Sequence, residues 1–198
     1  MARASVRSVC PALIALALSD VIILGCSSGP VPAPTAYTKI ESPDKQFQCE
    51  HPAGWQVTTT GGKGTLSHCI FEAGAARIDI ASDLMGSLMA GPATTPMDPN
   101  AEPPVARIHD QGKAKFAEDF SNYEEQEPKP VQTMLGEGRV AEFTATGSLG
   151  RKLHGYRATV LSRDRRITTM CSCPVSEWEK LKPAFGKVIS SLSPGTGR

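Results

Sequence analysis

Two cysteines stand one residue apart in Cys171-Ser172-Cys173, and two more, Cys49 and Cys69, precede them in the body of the chain. Such thiols have three fates open to them: oxidation to disulfides, ligation of a soft metal, or burial as small apolar groups. In a strand, Cys171 and Cys173 would point to one face nearly 7 Å apart, near or beyond the reach of an unstrained disulfide, so they should not pair with each other. If two bridges form, the connectivities left are Cys49 with Cys171 and Cys69 with Cys173, or the swapped pair. The metal alternative uses the same thiols with His51, two residues from Cys49, or His68, beside Cys69. Zinc or copper(I) suits such ligands, but the Cys-x-x-Cys knuckles of structural zinc sites do not occur. Met85, Met89 and Met97 offer further soft sulfur, although filling apolar gaps is the commoner role of methionine.

The compartment bears on this choice. Arg3 and Arg7 precede an apolar run from Pro11 to Leu24, broken by Ser19-Asp20, with no acidic residue ahead of it. That is the pattern of a bacterial export signal, and it is short for a membrane-spanning helix, which needs about 20 apolar residues. The run ends in Ile-Leu-Gly-Cys at 23–26, which resembles a lipobox. The resemblance implies that residues 1–25 are removed and that Cys26 carries a lipid as the mature N-terminus, followed by a Pro/Ser linker over 26–36. In an exported protein an even number of remaining cysteines favours disulfides over free thiols or metal.

Removing Arg3, Arg7 and Asp20 from the 21 basic and 20 acidic residues leaves 19 of each. A neutral chain with interleaved charges, as in His109-Asp110-Gln111-Gly112-Lys113, lacks the basic footprint of a nucleic-acid binder. No Gly-x-Ser-x-Gly elbow, His-Glu-x-x-His or phosphate loop is present, and Gly61-Gly62-Lys63-Gly64 is in the wrong context for phosphate. His51, His68, His109 and His154 read as surface or internally satisfied side chains, and Trp55 and Trp178 as core anchors.

The elements that must carry these residues are mostly strands. Stretches 37–42, 45–51, 54–60, 64–73 and 76–82 are short, alternating and separated by Pro or Gly turns, with a hairpin over 58–66. Residues 83–104 lose the pattern; five prolines in thirteen residues from Pro92 mark a surface excursion. Residues 105–120 predict a helix interrupted by Gly112. Strands follow over 131–136, 139–147, 153–162 and 165–173, the last two as a hairpin with Ile167, Thr169, Cys171 and Cys173 on one face. A closing helix has Ser176 and Glu179 spaced as a capping box and an apolar stripe of Trp178, Leu181, Phe185, Val188, Ile189 and Leu192. Pro183 predicts a bend in its second turn. The sum is α+β: one antiparallel sheet with two helices packed on it, over 37–194, with a short tail at 195–198.

Two stretches carry a family resemblance. Ser42-Pro43-Asp44-Lys45-Gln46-Phe47-Gln48-Cys49-Glu50-His51-Pro52-Ala53-Gly54-Trp55 is a strand ending in Pro-x-Gly-Trp. Residues 155–192 run as hairpin, Cys-Pro, Trp, Pro-x-Phe and a closing Ser-Leu. In order, and over about Tyr37 to Ser193, they resemble the PsbP superfamily, which includes DcrB-like bacterial lipoproteins. The resemblance implies an αβα sandwich; its members do unlike things, so it implies no activity and no cofactor.

The function expected is that of a cell-envelope lipoprotein, held to a membrane through its N-terminal lipid, acting as a non-enzymatic binding or structural module for a ligand or an envelope protein partner. The alternatives are a thiol-based copper or zinc protein and a hydrolase of unlisted type. A cleft with convergent polar groups would favour the latter.

Overall fold

The computed structural model describes residues 29–62, 66–85, 102–162 and 164–197. The export signal, Cys10, Cys26, Met89, Met97 and most of the 83–104 excursion lie outside the described residues.

Strands β1 (Tyr37–Glu41), β2 (Phe47–Pro52), β3 (Gln56–Thr60), β4 (Ser67–Ala73) and β5 (Ala76–Leu84) precede helix α1 (Pro104–Asp119). After it come β6 (Ser121–Glu125), β7 (Lys129–Thr133), β8 (Gly136–Thr146), β9 (Lys152–Ser162) and β10 (Arg165–Pro174), then α2 (Trp178–Ser190) and the two-residue β11 (Ser193–Pro194). The large sheet runs β3-β4-β5-β10-β9-β8-β6, with β7 sharing the β8 edge, and its pairings are antiparallel. The single sheet expected is in fact two. β1, β2 and β11 form a separate three-stranded sheet, because β2 turns Phe47 and Cys49 inward against α2 instead of joining the large sheet's edge.

Alternation along β10 decides which face is which. Ile167, Thr169, Cys171 and Cys173 are buried on one side, together with Ala158 and Val160 of β9 and Phe71, Ile78 and Ile80 of β4 and β5. The stripe of α2 lands there: Trp178, Leu181, Phe185, Val188, Ile189 and Leu192 are all buried, as their spacing predicts. Trp55 meets Phe185 edge-on at 6.5 Å, so both tryptophans are core residues. On the opposite face α1 packs against β6, β8 and β9 through Val105, Ala106, Ile108 and His109. The result is an α+β sandwich with one helix on each side of the sheet.

One local expectation needs correction. Ser176 does not cap α2: it lies inside a 3-10 turn, Val175–Glu177, and the helix starts at Trp178 without a side-chain cap. Glu177 is instead engaged by the start of the chain, since the Val31 N–H donates to its Oε1 at 3.1 Å. Val31 is itself buried, so the 26–36 linker is docked before it ends. Residues 195–197 are docked too: Gly195 and Gly197 N–H groups donate to Gln46 and Lys45 carbonyls, and Thr196 donates twice to Glu41.

Candidate functional site

The four thiols do share the α2-side core, but as free cysteines buried apart. Register shows why the expected pair of bridges cannot form. Cys69 pairs with Ile80, which pairs with Thr169, so two strand spacings, about 9.5 Å, separate Cys69 from β10. Cys171 and Cys173 lie a further two and four residues along, adding roughly 7 and 13 Å, whereas disulfide Cα atoms sit within about 7 Å. Both expected connectivities require Cys69 to reach β10 and so both fail. Burial, then Asp44 and Asp79, pushes the Cys69 thiol up to about 12, and burial, then Cys69 and Glu50, pushes Cys49 higher still. Burial and Glu177 push Cys173 to about 12. Burial, Cys173 and Cys49 raise Cys171 most firmly. A metal bound by these thiols would have to displace their protons against that burial. Among the described residues no three His, Cys, Asp or Glu side chains are grouped to hold a metal.

The functional geometry lies on the other face. α1 is buried at Val105, Ala106, Ile108 and His109, and its later residues Gly112, Lys115, Phe116 and Asp119 line a cleft of about 380 Å³ between helix and sheet. Ala81, Met170, Ile108, Phe116 and Phe120 make its apolar lining. Charged side chains from β4, β5 and β10 frame it in pairs: His68 with Asp79 at 2.9 Å, Arg77 with Glu72 and Asp79, and Arg166 with Asp83. Such an apolar pocket with a few placed polar groups is the usual form of a small-ligand site.

A buried polar cluster closes the inner end of the cleft. Arg157 of β9 grips Glu125 of β6 bidentately, Nη2 to Oε1 at 2.7 Å and Nε to Oε2 at 3.1 Å, and its Nη1 donates to the His109 carbonyl at 2.7 Å. His109 Nε2 is 3.1 Å from Glu125 Oε1 and its Nδ1 is 3.0 Å from the Thr159 hydroxyl. Tyr123 donates to Glu125 Oε2 at 2.8 Å. Burial opposes charge on Glu125, but the bonds from His109, Arg157 and Tyr123 outweigh it and hold the carboxyl at about 2. Burial, then the Glu125 acceptor, pushes the Tyr123 hydroxyl well up. The guanidinium also lies 5.5 Å from the Phe116 ring centre, and Gly112 makes room for it: an added Cβ there would stand 3.2 Å from Nη1.

Thr159, His109 and Glu125 thus stand in the order of a nucleophile, a base and its orienting acid. The resemblance is incomplete, because Arg157 already neutralises the acid and Thr159 is only 2 % exposed. The cluster fastens α1 to the sheet. Of the other histidines, His51 stacks on Phe71 at 4.6 Å and bonds the Pro52 carbonyl, and His154 stacks on Trp178 at 4.0 Å while bonding Glu142 at 2.7 Å. All four histidines have partners inside the protein. Sequence reasoning saw His109 but not its companions. The signal for Arg157 is its alternation with the apolar residues of β9, which places it on the face that α1 covers.

No family model matches the chain, and no curated protein is detectably similar to it in sequence. Solved structures do match. The solution structure of cyanobacterial PsbP, CyanoP, from Synechocystis sp. PCC 6803 superimposes with a TM-score of 0.57 at 11% identity, covering 80% of this chain and 92% of that one. LpqN of Mycobacterium tuberculosis, described as involved in cell envelope biogenesis, gives 0.49 at 6% identity over 81% and 91%. A Pseudomonas aeruginosa protein of unknown function, PA94, gives 0.44 at 13% over 80% and 96%. The CyanoP match shows a PsbP-like fold, as the sequence resemblance implies.

Proposed function

We propose that this chain is a lipid-tethered module of the bacterial cell envelope that holds a small, largely apolar ligand in the cleft beside α1 and does not transform it. The observation that carries the reading is the cleft itself: its volume falls in the range of small-molecule sites, and its apolar lining lies between paired charges on the sheet and Lys115 and Asp119 on α1. Charges already paired at the rim orient a ligand weakly and favour an apolar body over an ionic one. The export signal and the Cys26 motif support the location. No helix among the described residues is long and apolar enough to cross a membrane.

The test is to extract the mature protein from its envelope in polymer nanodiscs and analyse what travels with it by native mass spectrometry. Wild type should retain an apolar molecule in one-to-one ratio, and Ala81→Trp, which fills the floor, should lose it while keeping the same circular dichroism. Retention of nothing beyond bulk lipid, or equal retention by both proteins, sinks the reading. The Thr159-His109-Glu125 chain favours a second reading, a hydrolase. That reading predicts turnover of short acyl esters by wild type and its loss in Thr159→Val; equal rates remove it.

A further inference from the structure

We infer that one end of the large sheet, formed by the β8–β9 turn and the turn between β10 and α2, is the face that rests on the lipid bilayer. The inference builds on the tethering of Cys26 and adds which side of the domain the tether presents.

Its first support is where the chain becomes fixed. Val31 is 4 % exposed and its N–H is held by Glu177, immediately after β10. Five residue steps from Cys26 to Val31, at about 3.6 Å each, keep the lipidated residue within roughly 18 Å of that point. Pro174 pairs with Leu153 and Thr146 with Lys152, so Glu177 and the β8–β9 turn occupy the same end of the sheet. The opposite end, with exposed Leu66, Leu84 and Met134, is a full strand length away; at about 3.3 Å per residue the ten residues of β10 put it some 30 Å beyond the anchor point. The tether cannot make that end the nearest one.

The second support is what the near end displays. Leu149, at the tip of the β8–β9 turn, is fully exposed and sits at φ 58°, a left-handed conformation that leucine adopts at a cost. Gly150 follows at φ 73°, so the pair forms a tight turn that thrusts the leucine outward. A residue with no contact inside the protein gains nothing for the fold from being leucine there. Exposed Val175 stands in the neighbouring turn, and exposed Arg151 and Lys152 flank the tip. An apolar tip beside two cations fits an interface of acyl chains and anionic headgroups, and as a second membrane contact it fixes which side of the tethered domain faces the bilayer.

The experiment uses the mature lipidated protein in vesicles of phosphatidylcholine and phosphatidylglycerol. A nitroxide is attached through Leu149→Cys or, at the far end, Met134→Cys; the core thiols are buried and do not compete. The ratio of accessibility to oxygen over that to a water-soluble nickel chelate should be several-fold higher at 149 than at 134, and Arg151→Glu with Lys152→Glu should lower it at 149. Equal ratios at the two sites, in protein whose acyl chains are verified by mass spectrometry, overturn the orientation and leave the tether standing. Protein found without acyl chains on Cys26 overturns the tether, and the orientation with it.

Discussion

At the residue scale, Glu125 is the group on which most else depends. Its carboxyl is held at about 2 against an ordinary 4.5, so its contribution to stability is complete above about pH 4.5 and is lost as pH falls through 2. A displacement of that size corresponds to something on the order of 3 kcal/mol. Glu125→Gln should therefore cost about 3 kcal/mol or more at pH 7, since Arg157 is left buried without its counter-charge, and should flatten the loss of stability between pH 4.5 and 2. Urea denaturation at several pH values reads both effects, and an unchanged acid limb in the variant would refute the account. The cysteines yield a count. Thiol titration of the unfolded, unreduced domain should find all four core thiols, and two would mean that Cys49 had bridged a neighbour. None would contradict the sheet register. Little of this was legible beforehand: the cysteines announced themselves by type, but their distances depend on which strands neighbour which, and Glu125 sits in a polar pentapeptide that gives no hint of burial.

At the element scale, alternation and the α2 stripe were readable because burial on one face leaves a period in the sequence. β6 was not, since Ser121–Glu125 offers one aromatic among polar residues and is held by β8 and the Glu125 cluster. The cleft was also hidden, because it arises between α1 and the sheet, a matter of packing and not of pattern. Two glycines test this difference. Gly186 lies on the exposed face of α2 with nothing near an added Cβ, so Gly186→Ala should stabilise by about 0.5–1 kcal/mol through helix propensity. Gly112 has the same propensity to gain but faces an Arg157 held by three hydrogen bonds, which has little freedom to yield. Gly112→Ala should lower the melting temperature where Gly186→Ala raises it. Parallel shifts in a pair of thermal melts would show that Arg157 moves freely and that the cluster does not fasten the helix.

At the scale of the whole molecule, the two sheets are held together by three ties of different kinds. The α2 core is apolar, the Arg165–Asp44 ion pair at 2.9 Å is buried, and β11 with the tail stitches the chain end to β2. One sheet with two helices was legible from element order and the αβα sandwich from the family resemblance, whereas the second sheet was not, because a two-residue strand carries no pattern of its own. The ties are unequal. Burying each large side chain of α2 is worth about 1.5–3 kcal/mol, so the six of the stripe from Trp178 to Leu192 contribute roughly 9–18 kcal/mol, comparable to the roughly 5–15 kcal/mol net stability expected for a whole domain. A chain stopped after Glu177 should therefore not fold. A chain stopped after Leu192 keeps that stripe and loses, among the described bonds, the β11 pairing, the Ser193 hydroxyl bond to the Gln48 carbonyl, the two tail amide bonds and the Thr196–Glu41 bonds. It should melt cooperatively at a lower temperature and, with one edge of β2 newly unpaired, associate more readily in sedimentation velocity. If it is instead unfolded, the seam at β2 and not the α2 core is what joins the two sheets.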